Sequence, residues 1–159
     1  MVISAQVHRA AAQVQAAAGD AVGSAFNEFL RDFIGWPLAI DAGVVRGLDG
    51  QQSESFASII HVEKKVDDAG VFRADDVAAV IDVVDTLDVA GFRESYRRVA
   101  TAKSLKKSPP PDVPMTTTVT MGIVMAAQVT VPLELLAEEL ERLNSETPGR
   151  NRPDMVVSA

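Results

Sequence analysis

Apolar residues fall along this chain in two rhythms, one helical and one pleated. From Ser4 to Ile34, Val7, Ala11, Val14, Ala18, Val22, Phe26, Phe29 and Phe33 recur every three or four positions and draw a single apolar stripe, which predicts helix. Ser4 offers a cap for its start, while Gly19-Asp20 and Gly23 interrupt it, so two helices or one kinked helix are expected. Trp36-Pro37 ends the run, because proline cannot continue the helical hydrogen-bond ladder and restricts the residue before it. Strands follow over LAIDAGVV, 38–45, and FASIIHV, 56–62, with Leu48-Asp49-Gly50-Gln51 as a turn between them. If the second strand is regularly pleated, Ala57, Ile59, His61 and Glu63 share one face.

Residues 67–76 read as a connection, and VAAVIDVV, 77–84, as a strand buried on both faces. Asp82 is the one polar residue in that run, and a buried carboxylate needs hydrogen bonds, a counter-charge or a metal. A helix is predicted over 88–107, with Phe92, Tyr96, Val99 and Leu105 as its apolar face and six basic residues from Arg93 to Lys107. SPPPDVP, 108–114, is a stiff connector, and a further strand is expected within 116–129. Pro132 opens a last helix that buries Leu133, Leu136, Leu140 and Leu143 and turns Glu134, Glu138, Glu139 and Glu141 mainly to water. ETPGRNRP is a loop before a short strand at Met155-Val156-Val157. The alternation of strands and helices predicts one α/β domain over 1–159, with 1–34 as an N-terminal helical segment.

Composition changes this picture in three respects. At 47% hydrophobic residues the 159-residue chain can build a substantial core, but with only 5% aromatics that core is mostly aliphatic. The absence of cysteine excludes disulfides, thiolate metal sites and a cysteine nucleophile. A formal net charge of -7 makes general attraction to nucleic acid or an anionic membrane the weaker expectation. The N-terminus lacks the form of a signal peptide, and no stretch approaches the ~20 apolar residues of a membrane span. The expected location is the cytoplasm or a soluble assembly.

The order of elements resembles the PD-(D/E)xK, or restriction-endonuclease-like, nuclease superfamily of bacterial and phage proteins. The resemblance runs through most of the chain. It includes Glu28 in NEFLRDF, the glycine-bearing GVVRGLDGQQS with Gly43, Gly50 and Ser53, and above all DDVAAVIDVVDTL, Asp75 through Leu87, which is similar to the family's E-S-V-x-x-V-I-E-V-K-S-T-L. It implies a mixed central β-sheet flanked by helices. In such nucleases two carboxylates hold a divalent ion that activates water, and a lysine beside them stabilises developing charge.

Laid on this chain, the acidic-x-lysine element becomes Asp82-Val83-Val84, so valine stands in place of the lysine. The resemblance puts the preceding acidic ligand at Ala57, whose methyl group binds no metal, and the helix carboxylate at Glu28. Residual metal binding would fall to Glu28 and Asp82. The expected reading is a degenerate site without cofactor, in a noncatalytic, nuclease-derived interaction or structural protein with a protein partner, or in a homo-oligomeric or, as the resemblance implies, soluble phage-associated assembly. One alternative is a Mg²⁺-dependent phosphodiesterase rebuilt with His61, Glu63, Lys64, Lys65 or Lys103. The other is a nucleic-acid-binding module without turnover, using Arg97, Arg98, Lys106 and Lys107.

Overall fold

A computed structural model of the chain describes residues 20–63, 70–108 and 119–158. The predicted helical stretch 4–19, the connector 109–114, and Lys64 and Lys65 lie outside the described residues. In chain order the elements are α1 (Asp20–Arg31), β1 (Leu38–Arg46), β2 (Phe56–Val62), β3 (Val71–Arg73), β4 (Val77–Leu87), α2 (Val89–Ser104), β5 (Met121–Val129), α3 (Leu133–Glu146) and β6 (Met155–Ser158), with short 3-10 turns at Ala74–Asp76 and Gly149–Asn151.

The strands form one six-stranded sheet in the order β3-β1-β2-β4-β5-β6. β2 runs antiparallel to both β1 and β4, whereas β3 lies parallel to β1, and β4, β5 and β6 are mutually parallel. The sheet is therefore mixed, as expected. β4 is interior, which explains its unbroken apolar run: a strand covered on both faces has no solvent side on which to alternate.

Helices cover both faces. On one, α1 sets Val22 and Phe26 against Ile81 of β4 and Ala127 of β5, with Ile60, Val83, Ile123 and Met125 at the margin. On the other, Val99 and Ala102 of α2 pack with Phe56, Ile59, Val80 and Val124, and Leu136 of α3 joins Phe92, Tyr96, Leu87 and Ala126. Asp88 caps α2 by accepting the Gly91 amide at 2.7 Å, which satisfies one of the helix's free N-terminal donors. Close approach of α2 to β5 depends on Gly122, where a Cβ would sit 2.4 Å from Val99 Cγ1.

Several expectations are corrected. α1 ends at Arg31, short of the predicted Ile34, and residues 71–73, read as part of a connection, pair as an edge strand with β1. Three residues are too few to show a period in sequence. Leu133 is exposed, although it lies on the predicted buried stripe of α3, while Glu139, expected in water, is buried. The cause is on α2: Arg93 donates to Glu139 at 2.6 Å, and Arg142 closes over it from the next turn of α3.

The second strand is not regularly pleated. Asp41 pairs with Ile59 but Gly43 pairs with Phe56, so two steps along β1 correspond to three along β2. The extra residue is a bulge at Ala57-Ser58. It places Phe56 and Ile59, three positions apart, in the same core cluster on the α2 side. Ala57 and Ser58 turn together toward α1: a Cβ on Gly23 would lie 2.8 Å from the Ala57 Cβ, and the Ser58 hydroxyl donates to Asn27 Oδ1. Asn27 also donates to the Ala57 carbonyl at 2.6 Å, so the bulge is bonded to the helix it faces.

Candidate functional site

Parity along β4 decides which groups meet at Asp82. Ile81 and Val83 face α1, and the intervening Val80 and Asp82 face α2. Asp82 is 3% exposed, in the middle of β4. Its Oδ1 accepts from Arg98 Nη1 at 2.6 Å, and its Oδ2 is buried with no hydrogen-bond partner. Burial pushes the Asp82 carboxyl up from its ordinary value, Ser95 and the Arg98 guanidinium pull it down, and the negative charges of Glu54 and Glu94 push it up again.

Arg98 is fixed on several sides. Its Nη2 donates to the Ser55 carbonyl, its Nε lies 3.4 Å from Glu54 Oε2, and its guanidinium carbon is 5.2 Å from the centroid of the Phe56 ring. Phe56 is completely buried. Beside Asp82, where a second metal-binding acid would have to stand, the fold puts an aromatic ring and a guanidinium. The acids whose charges act on Asp82 are Glu54 and Glu94, and Arg97 bonds to both of them.

The structure does not gather the residues that the family pattern singles out. Asp82 and Val84 lie on one strand, Val84 packed at the edge of the α2–α3 cluster. Ala57 is on the opposite face because of the bulge, and Glu28 is an exposed residue of α1, the helix that covers that same opposite face. The groups considered as replacements are engaged elsewhere. His61 lies 3.0 Å from Asp41 Oδ2 and 4.3 Å from the Phe72 ring, and the buried Lys103 amine donates to Asp154. Glu63 is exposed beyond the end of β2.

Among the described residues no three His, Cys, Asp or Glu side chains form a metal-holding group, and the Asp82 carboxylate is paired with Arg98. The basic helix face is likewise spoken for. Arg97 is paired with Glu94 and Glu54, Arg98 with Asp82, Lys106 lies 3.6 Å from Asp49, and Lys107 donates to the Val77 carbonyl at 3.1 Å. Sequence reasoning missed Phe56, Glu54 and Ser95 as neighbours of Asp82. Of these only Ser95 had a signal, the 95/98 spacing that puts serine and arginine on one side of α2.

No family model matches the sequence, and no curated protein matches it significantly. Solved structures do match over almost the whole chain. The cAAA-bound form of E. coli MS115-1 NucC superposes with a TM-score of 0.77 at 14% identity, covering 99% of this chain and 74% of that one. The cAAA-bound form of P. aeruginosa ATCC27853 NucC gives 0.78 at 13%, with coverage of 99% and 74%. The apo form of the E. coli protein gives 0.73 at 16%, with coverage of 98% and 73%. The fold of this chain, a mixed sheet flanked by helices, is the restriction-endonuclease-like one seen in these structures. At these identities the likeness concerns the fold and leaves the chemistry to the residues themselves. Among the described residues no helix is long and apolar enough to cross a membrane.

Proposed function

We propose that this chain is a noncatalytic member of the nuclease-like fold that serves as an interaction or structural protein. One observation carries the reading: the Arg98 guanidinium sits on the single buried carboxylate of the sheet's centre, backed by the Phe56 ring. A metal nuclease needs that carboxylate free to share a cation with a second acid, and an amine beside it. Here Val84 carries no amine and Ala57 faces the other helix layer.

The interaction half of the proposal rests on the end of the sheet. β6 pairs with β5 on one side only among the described residues, and Val156, with Leu133 and Leu135 of α3, leaves apolar surface in water. An open strand edge with apolar side chains beside it is a template for a second copy or another protein.

The chemistry is tested by incubating the purified chain with single- and double-stranded DNA and RNA in Mg²⁺ or Mn²⁺. No cleavage is expected under any combination. Cleavage that EDTA stops and Asp82→Ala removes would contradict the proposal.

A further inference from the structure

Three features meet where the sheet ends at β6. The first is the strand itself: β5 bonds it on one side, and no described strand takes the amides and carbonyls of its outer edge. Natural edge strands are commonly guarded by a charge, a proline or a bulge, and Met155-Val156-Val157-Ser158 has none of these. The second is a cavity beside it. Val156 pairs with Val124, which packs under α2, so Val156 points to the face that α2 and α3 cover. There it borders a space of about 170 Å³ against α3, whose walls include Phe92, Leu133, Leu136, Ala137 and Leu140. An apolar cavity of about 150 Å³ holds a benzene ring, so this one has room for one leucine or phenylalanine side chain. Leu133 is 62% exposed, which leaves the space open to solvent.

The third is charge on the rim. Glu134 and Glu141 stand three positions before Ala137 and four after it, on the side of α3 that faces the cavity, and Glu138 lies between them on successive turns. All three are exposed, and none has a hydrogen bond or ion pair among the described residues. Arg142, the only basic residue of α3, is turned to Glu139 and Glu146. A second copy is therefore a poor occupant. Two-fold pairing of β6 with itself would put both α3 helices on one face of the joined sheet, glutamates toward glutamates, in a chain whose net charge is already -7. We propose that this edge takes an extended segment of another protein, of basic and apolar chemistry. The segment joins the sheet beside β6, sets one leucine- or phenylalanine-sized side chain in the cavity, and carries lysine or arginine two positions to either side. Residues two apart on a strand share a face, so the cations point to the same side as the apolar anchor, where the glutamates are. This rests on the interaction half of the proposed function and names the partner's chemistry.

The probe is a blocked, fluorescently labelled peptide, Thr-Lys-Thr-Leu-Thr-Lys-Thr, titrated with the full chain and followed by anisotropy. Saturable binding is expected. Glu134→Lys/Glu138→Lys/Glu141→Lys should weaken it about tenfold or more, because the cations then meet like charge. Glu28→Lys/Asp32→Lys/Glu63→Lys changes the net charge equally on other elements and should leave binding within about twofold, since distant exposed charges are screened. Replacing the peptide's leucine by alanine, or methylating its alternate amides, should also weaken binding about tenfold or more, the first by emptying the cavity and the second by blocking the strand ladder. No saturable binding to the native chain, or equal weakening by the two charge-reversed variants, would overturn the inference. So would a mass in solution that doubles with concentration and returns to one copy in Val156→Asp, which would give the edge to the chain itself and leave the interaction reading standing. Cleavage of nucleic acid, by contrast, would contradict that reading whatever the peptide does.

Discussion

Asp82 and Arg98 make the residue-scale argument quantitative. Two charges removed from water have lost several kcal/mol of hydration each, and their attraction offsets that loss only while both are present. Arg98→Met alone strands a carboxylate that is 3% exposed and should lower unfolding stability by about 3–5 kcal/mol in a denaturant titration. Asp82→Leu with Arg98→Met removes both charges and fills the space, and is expected to be as stable as the native pair or more so. A double variant as damaged as the single one would mean that the pair is not what the site needs. Burial raises the Asp82 pKa in the folded chain, so the native state holds its proton more tightly than the unfolded state does. Its contribution to stability therefore falls as pH rises through the window above 3.8. The valine at position 84 and the isolation of Asp82 in an apolar run were both legible in the sequence. Which groups surround Asp82 was not, because Phe56 and Arg98 reach it from another strand and from a helix.

At the scale of elements, α3 is held to α2 by Glu139 between Arg93 and Arg142. Its low exposure comes from the two guanidiniums laid over it, not from depth. Hydrogen bonds from Arg142 and then Arg93 hold the Glu139 carboxyl down at about 2, against an ordinary value of 4.5. A depressed acid stabilises the fold above its unfolded pKa and loses that contribution as pH falls toward its folded one. Glu139→Gln should therefore flatten the stability profile between pH 4.5 and about 2, as measured by thermal melts across that range. An unchanged acid limb would show that the cluster does not hold α3. The helix stripe of leucines was readable from spacing, whereas the glutamate among them was not, since its partner Arg93 is 46 residues away. The bulge at Ala57-Ser58 escaped the sequence for a related reason: it is set by pairing with β1 and by Asn27 of α1, and both are distant in the chain.

For the whole molecule, the order and type of the described elements other than β3 followed from periodicity, and the strand at 56–62 agreed at both ends. The interior position of β4 was readable from its unbroken apolar run, and the likeness to NucC over 99% of the chain accords with the fold that the resemblance implied. What the fold retains is the scaffold. The proposal holds that the centre lacks a set of oxygens free to take a cation, and on this claim the rest depends. Titration of the full chain with Mn²⁺, followed by the loss of the free-ion electron paramagnetic resonance signal, tests it without any assumption about substrate. The account predicts no saturable binding in the millimolar range and the same titration curve for Asp82→Asn. A stoichiometric Mn²⁺ site in the native chain that vanishes in Asp82→Asn would contradict it.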